Sequence, residues 1–139
     1  MLRQTSAILP IRANAPGLLE ITQSVSKFVA HSGIQEGLLT LFCRHTSASL
    51  VIQENAAPAA RRDLEHFFEQ LAPEGGPYEH DDEGPDDMPA HIRSALTATH
   101  LSIPIQDGRL VLGTWQGIFL FEHRRDTPER QIALHLVGE

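Results

Sequence analysis

The sequence predicts an α+β fold in which about seven strands form a two-sheet β-sandwich with two to three inserted helices. Short apolar runs rich in β-formers recur along the chain, and the helical patterns stand as blocks between groups of strands. Such blocks favour an α+β arrangement over the strand–helix alternation of a parallel sheet. The length of 139 residues predicts a single domain over 1–139.

The N-terminal part of the chain predicts two strands and a short helix. Apolar runs over 6–11 and 17–21 flank a turn that contains Asn and Pro. The helix that follows could begin at a cap formed by Ser24 or Ser26. We expect it to end at Gly33, because glycine adopts the left-handed conformation common after a last helical turn.

Two central strands are predicted over 38–43 and 49–53, where apolar residues are almost continuous. An unbroken apolar run is typical of a strand that is covered on both faces. We therefore expect a second layer or a second subunit on each side of these strands.

The next segment predicts a helix with one apolar stripe. Asn55 is a candidate cap, Pro58 suits the first turn, and the helix should end before Pro73. The apolar side chains recur three and four residues apart, as in a helix that packs through one face. They are Leu64, Phe67, Phe68 and Leu71.

A second, shorter helix is expected over about 89–97, after an acidic segment broken by Gly and Pro. Asp86 or Asp87 could cap it. The residues predicted to face inward are Ile92, Ala95 and Leu96.

The C-terminal third predicts mainly sheet. Asp107-Gly108 joins runs over 102–106 and 109–113, and this dipeptide favours a tight hairpin turn. Pro104 lacks a ladder donor, which predicts an edge strand. The two glycines of GTWQG (113–117) predict a bulge or tight bend. Two more strands follow, over 118–124 and 131–138.

Charge and composition exclude several classes of partner. The net charge is −7, and six acids lie in residues 79–87, so the rest of the chain is nearly balanced. No basic stripe is present for a nucleic acid, and no apolar run approaches the roughly 20 residues needed to cross a membrane. Cys43 is the only cysteine, which rules out an internal disulfide and predicts a cytoplasmic location.

Polar side chains follow the strand over 38–43 directly, at His45, Thr46, Ser47 and Ser49. At a strand end such groups can converge, and imidazole is a base or nucleophile near neutral pH. The alternative is that the hydroxyls satisfy turn amides and that His45 packs against its neighbours.

A second candidate cluster lies around the short helix. Asp87 and His91 are four residues apart and share a helix face, so the carboxylate could fix the tautomer of the imidazole. His80 could join them, and three converging histidines are a common ligand set for zinc. An ordinary surface pair is the alternative, because the chain has no HExxH or CxxC spacing.

Three further residues are ambiguous from sequence alone. Cys43 lies within an apolar run and is expected to be inert packing. Trp115 is expected in the core or at an interface. Glu122 ends a strand, where a buried charge would be costly, so we expect it to be solvated or paired with Arg124 or a site histidine.

Four blocks of the sequence resemble, in order and spacing, the motifs of the YjbQ-like family, whose members are often labelled secondary thiamine-phosphate synthase-type proteins. The match is most specific from about Leu38 to Arg124. The blocks are HTSASLVIQEN (45–55), RRDLEHFFEQLAP (61–73), YEHDDEGPDDMPAHIRSAL (78–96) and IQDGRLVLGTWQGIFLFEHR (105–124).

The resemblance implies a homotrimer with a histidine-rich site between subunits. His45, His80 and His91 would be its metal ligands, and the ion would be a divalent metal, either zinc or magnesium. Other polar or aromatic positions of the family motifs are matched by Glu54, Asp63, Trp115, Gln116, Glu122 and Arg124.

The activity implied by the resemblance is weak or secondary formation of thiamine phosphate from a pyrimidine diphosphate and a thiazole phosphate. The alternatives are metal-assisted hydrolysis of a phosphate ester and non-catalytic binding of a small metabolite or anion. The candidate catalytic residues are His45, Ser47, Glu54, Asp87 and Glu122. The candidate substrate-binding residues are Thr46, Trp115, Gln116 and Arg124.

Overall fold

The computed structural model describes residues 1–139 and confirms the α+β class, with eight strands and three helices. The strands are β1 (Arg3–Ile11), β2 (Gly17–Glu20), β3 (Gly37–Cys43), β4 (Ala48–Glu54), β5 (His100–Gln106), β6 (Arg109–Leu110), β7 (Gln116–Glu122) and β8 (Arg130–Gly138). The helices are α1 (Thr22–Ser32), α2 (Pro58–Leu71) and α3 (Asp87–Leu96).

The strands form two antiparallel sheets. One has five strands in the order β1-β8-β3-β5-β6, and the other has three in the order β2-β7-β4. In the larger sheet, Leu41 of β3 lies opposite Leu134 of β8 and Leu101 of β5. In the smaller sheet, Ala48 pairs with Glu122 and Glu54 pairs with Gln116, so these two pairs lie at opposite ends of β4 and β7.

The main core is a cluster of 16 buried residues from both sheets and α1. Within β3, Leu39 and Leu41 are fully buried, whereas Leu38 and Phe42 are 44% and 47% exposed. Within one chain, β3 is therefore covered on one face only, and cover of the other face by a second subunit stays a prediction. Its outward apolar side chains lie on a sheet face that no helix of the same chain covers.

The hairpin at Asp107-Gly108 is confirmed, with positive φ angles of 52° and 74°. The predicted run over 109–113 is only the two-residue strand β6, because the chain turns toward the other sheet. In that turn Gln116 accepts a hydrogen bond from the Gly113 amide at 2.8 Å. The tight bend predicted at GTWQG is therefore confirmed.

Pro104 is not in an edge strand, since β5 lies between β3 and β6. The missing amide proton of Pro104 removes no hydrogen bond between β5 and β6. The ladder from β5 to β6 includes only Ile105 and Gln106 of β5, so no β6 residue pairs with Pro104.

The backbone preferences of glycine and proline predict the helix ends better than candidate side-chain caps do. The first helix begins at Thr22, before both predicted caps Ser24 and Ser26. Its N-terminal cap position is Ile21, whose side chain makes no capping bond. Its end at Gly33 is confirmed, with φ of 72°.

At the second helix, Pro58 lies in the first turn as predicted, and Ala57 takes the cap position. Asn55 is not the cap. Its side chain instead donates a hydrogen bond to Glu20 Oε2 at 2.9 Å, across the end of the smaller sheet.

The apolar stripe of α2 is only half covered. Leu64 and Phe68 pack against the small core of Phe119 and Phe121, but Phe67 and Leu71 are 56% and 50% exposed. The helix lies over the smaller sheet with a narrower contact than the spacing predicts.

The buried face of helix α3 differs from the predicted one. Leu96 is 58% exposed, whereas Asp87 and Ala90 are buried. Its N-terminal cap position is Asp86, whose side chain makes no capping bond and instead accepts from the Arg125 amide at 2.9 Å. The buried face is thus set by polar contacts rather than by the apolar side chains of the helix.

None of the helices combines the length and the apolar character that a membrane crossing would require.

Candidate metal centre

The acidic segment 79–87 has two parts with different environments. Glu79, Asp81, Asp82 and Glu83 are exposed, as expected for a solvated loop. At its end, Asp86 and Asp87 are buried and face the guanidinium of Arg124. This pairing brings the segment and the start of α3 against the end of β7.

Asp87 forms the centre of a cluster with two histidines. Its Oδ2 atom lies 3.0 Å from His80 Nε2 and 3.1 Å from His91 Nε2. The two rings are 5.7 Å apart between centroids. The predicted convergence of His80, Asp87 and His91 is therefore present within one chain.

The hydrogen-bond partners of His91 suit this cluster to a cation. Its Nδ1 atom lies 3.1 Å from the Thr46 carbonyl, which can only accept, so Nδ1 carries a proton. In the neutral ring Nε2 then presents a lone pair to the Asp87 carboxylate, which also only accepts. A second proton or a cation between these atoms removes the conflict, and a carbonyl-bound Nδ1 is typical of metal-ligating histidine.

The charges around the cluster keep Asp87 ionised. Burial raises the pKa of this carboxyl, but the charges of His91 and Arg124 and the hydrogen bonds from both histidines outweigh it, so the pKa is lowered. The pKa of His80 is raised, first by its hydrogen bond to Asp87. His80 also lies 3.1 Å from Glu83 Oε2, which adds a further carboxylate to the cluster.

A polar cavity of about 590 Å³ adjoins the cluster at Thr46, whose carbonyl contacts His91. Two arginines and several hydroxyls line it. The full lining is Phe42, Cys43, Arg44, His45, Thr46, Ser47, Thr99 and Arg130.

His45 belongs to this cavity and, within one chain, does not join His80 and His91. Its Nε2 atom accepts a hydrogen bond from the Gln131 amide at 2.8 Å, which leaves that nitrogen no lone pair for a metal. Burial and the charges of Arg130 and Arg44 lower the pKa of His45, so the ring is neutral at pH 7. Cys43 is buried beside it, and burial raises the pKa of the thiol.

Glu122 pairs with Arg130 rather than with the side chain of Arg124 or with a histidine. Both residues are almost fully buried, and Arg130 Nε donates to Glu122 Oε1 at 2.8 Å. Arg130 also donates to the Ser47 carbonyl at 3.0 Å. Arg130 Nη2 also donates to Glu122 Oε2 at 2.5 Å. Because Arg130 thus occupies both carboxylate oxygens, the geometry makes Glu122 a positioning residue for the cavity wall. Sequence reasoning missed Arg130, the first residue of β8, because no sequence signal shows that the start of β8 lies beside the end of β7.

The remaining predicted site residues lie in two places. Arg124 contacts Asp87, and Thr46 and Ser47 line the cavity. Glu54 and Gln116 pair at the far end of β4 and β7, and Trp115 beside them is 63% exposed, outside the core. One chain does not bring these three to the cluster.

A buried Ser49–His123 pair was not predicted. Ser49 Oγ lies 2.9 Å from His123 Nε2 and 2.6 Å from Thr97 Oγ1. Burial, followed by the charges of Arg93 and Arg130, lowers the pKa of His123 to about 3. The serine and histidine are far apart in sequence, and no spacing signal links them.

The fold and the cluster together define a small α+β protein with a candidate metal centre where a short helix meets a three-stranded sheet. The family model described as UPF0047 protein YjbQ-like matches residues 8–139. The chain therefore belongs to the YjbQ-like UPF0047 family.

Similar proteins support this assignment over nearly the whole length. The UPF0047 protein sll1880 of Synechocystis is 54% identical over 138 residues, with 99% of this chain and 94% of the relative covered. YjbQ of Escherichia coli O157:H7 is 44% identical, with 94% and 96% covered. A YbjQ-like protein of unknown function from Sulfolobus solfataricus has a solved structure with a TM-score of 0.91, at 25% identity and full coverage of both chains.

The His123 environment predicts a specific pH dependence of folding. Its folded pKa of about 3 lies below the 6.5 of an ordinary histidine, so its contribution to stability is complete above the unfolded pKa and is lost as the pH falls toward 3. At about 1.4 kcal/mol per pH unit, this group should remove roughly 2 kcal/mol of unfolding free energy between about pH 6.5 and pH 5.

Urea unfolding of the wild type and of His123→Gln at several pH values would measure this contribution. We expect the variant to lack that part of the pH slope, since glutamine does not titrate in this range. Identical slopes in both proteins would contradict the assignment.

Proposed function

We propose that this protein is a cytoplasmic, metal-dependent enzyme that acts on a small phosphorylated substrate. The observation that carries the proposal is the approach of His80 Nε2 and His91 Nε2 to one oxygen of Asp87, within 3.1 Å. His80, Asp87 and His91 would hold the ion, with the cavity beside them receiving the substrate.

The donor set supports zinc over magnesium. Two imidazole nitrogens and a carboxylate oxygen are common zinc ligands, and catalytic zinc sites use three protein ligands and leave a further position open. Magnesium prefers oxygen donors and keeps several waters. Asp87, held by Arg124, would remain ionised and ready to bind.

The cavity supplies groups suited to a phosphate. Arg44, Thr46 and Ser47 line it and could contribute a guanidinium group and two hydroxyls. Arginine recognises phosphate oxygens through charge-assisted hydrogen bonds. A bound divalent ion would add polarisation of a phosphoryl oxygen or activation of water.

Two reactions fit these groups. The family resemblance favours thiamine-phosphate formation, a transferase reaction in which a pyrimidine diphosphate joins a thiazole phosphate and diphosphate leaves. The exposure of His80 to solvent favours the second candidate, hydrolysis of a phosphate ester by a metal-activated water. The two candidates differ in whether water is a reactant.

Metal content provides the first test. Protein purified without an affinity tag should contain close to one zinc per chain by elemental mass spectrometry. His91→Ala should lower zinc occupancy at least tenfold, because loss of one of three protein ligands removes most of the affinity. The matched control is His31→Ala, which changes an exposed histidine and should leave the metal content unchanged. Equal zinc content in both variants would exclude the site.

Turnover provides the second test. The zinc-loaded protein is assayed with the two thiamine precursors and, side by side, with a panel of phosphate monoesters. We expect one of these reactions, and we expect Asp87→Asn to reduce kcat/KM at least a hundredfold by weakening the metal site. If the protein binds metal and a ligand tightly but turns over no substrate, the result would support a non-catalytic metabolite-binding protein instead of an enzyme.

We also propose that the protein assembles as a homotrimer through the outer face of the five-stranded sheet. Leu38 and Phe42 are exposed there, as is Ile8 of β1. Phe42 also lines the cavity of His45, so a neighbouring chain on this face would lie against the cavity. This arrangement leaves room for the predicted site between subunits.

Light scattering should give three times the 15.4 kDa chain mass. Leu38→Glu should shift the protein to monomers, because it places a charge in an apolar contact. Leu71→Glu, at an exposed leucine of α2, is the control and should remain trimeric. A monomeric wild type would contradict the assembly without affecting the metal test.

A further inference from the structure

A second polar cavity lies on the other side of α3 from the metal cluster. Its volume is about 370 Å³, and it shares no lining residue with the cavity of His45. Two prolines and five polar or charged residues form its walls, and no apolar side chain other than proline contributes. The five are Glu69, Glu74, Arg93, His123 and Arg125.

Two of these residues carry buried polar atoms without any partner. They are His123 Nδ1 and Arg93 Nε, and the His123 side chain is only 2% exposed. Leaving a buried polar atom unpaired is costly. Both atoms belong to residues that line one cavity, which indicates a site that is completed by another molecule.

The hydrogen-bond chain behind the cavity fixes what His123 can offer. The Arg93 carbonyl only accepts, so Thr97 donates to it at 2.8 Å. Thr97 has one proton, and it must therefore accept from Ser49. Ser49 in turn accepts from His123 Nε2. The remaining nitrogen, Nδ1, is consequently an unprotonated acceptor.

The charges that line the cavity are balanced. Arg93 and Arg125 bring two guanidinium groups, and Glu69 and Glu74 bring two carboxylates. Arg125 and Glu74 are already paired with each other. His123 is neutral at pH 7, because burial holds its pKa near 3. A simple anion would face both glutamates, and a simple cation would face both arginines. A molecule that carries one positive and one negative group places each of them beside an opposite charge.

We propose that this cavity binds a small zwitterion, a free α-amino acid with a small or polar side chain. Its carboxylate would bind Arg93, with Nε–H as a donor, and Arg125. Its ammonium group would donate to His123 Nδ1 and face the glutamates. Arginine suits the first contact because its planar fork matches a carboxylate, and the absence of apolar lining disfavours a large hydrophobic side chain.

The test is a titration of the full chain with L-serine, followed by calorimetry and by the side-chain Nε–H signal of Arg93 in NMR spectra. Ethanolamine and 3-hydroxypropionate are titrated in parallel, since each keeps one of the two charged groups of serine. We expect saturable binding of serine that shifts the Arg93 signal, and at least tenfold weaker binding of each half-molecule. Equal binding of 3-hydroxypropionate would overturn the zwitterion in favour of a plain anion site.

Variants locate the binding. Arg93→Lys keeps the charge but removes the Nε–H donor and the fork, and it should weaken serine binding at least tenfold. Arg125→Gln changes a largely exposed side chain and should also weaken binding, which keeps the test decisive if the first variant does not fold. Arg62→Lys, on the exposed surface of α2, should bind as the wild type does.

Chelated protein should bind serine as well as zinc-loaded protein does, because no metal ligand lines this cavity. Serine binding by chelated protein therefore tests the zwitterion site independently of the proposed metal-dependent function. Absence of saturation by serine in the wild type, or full retention of binding in Arg93→Lys and Arg125→Gln, would overturn it.

Discussion

The contact between Asp87 and Arg124 is the constraint on which the candidate site depends. Asp87 opens α3, and Arg124 lies two residues after the end of β7, so their pairing ties a short helix to the smaller sheet at one point. The neighbouring carboxylate of Asp86 accepts from the Arg125 amide, which fixes the same junction a second time. A buried carboxylate is costly unless it is paired, and this pairing leaves one oxygen of Asp87 free to face His80 and His91. The ion pair between Asp87 and Arg124 thus determines where the two imidazoles lie.

The junction also explains how the metal cluster and the adjoining cavity come to share an edge. His91 lies one helical turn after Asp87, where its Nδ1 atom reaches the Thr46 carbonyl. Thr46 follows β3, and the cavity wall beyond it is held by Arg130, which is paired with Glu122 and bound to the Ser47 carbonyl. A buried ion pair adds little net stability, but here it fixes the position of a guanidinium group. The polar residues of the cavity wall are therefore ordered by Arg130 and Glu122, two buried neighbours that bond to each other.

Sequence alone predicted the features that depend on local backbone preference. The hairpin at Asp107-Gly108 and the helix end at Gly33 follow from the left-handed φ that glycine tolerates, and Asp87 and His91 share a face because of helical spacing. The errors arose where tertiary contacts decide. Leu96 has the apolar character of a core residue, but the polar contacts of Asp86 and Asp87 set which face of α3 is buried. The partner of Glu122 lies eight residues away on β8, in the other sheet, and only the packing of the two sheets brings the two side chains together.

The family motif positions divide into two groups along one strand pair, and this division constrains how they could act together. Ala48 and Glu122 pair at one end of β4 and β7, beside the cavity, whereas Glu54 and Gln116 pair at the other. Six residue steps of an antiparallel strand span about 20 Å, which no side chain crosses. Within one chain, Glu54, Gln116 and Trp115 therefore cannot act on a substrate held at His91. They could do so only from a neighbouring chain, and the exposed Trp115, like the uncovered face of β3, is a surface that such a neighbour would bury.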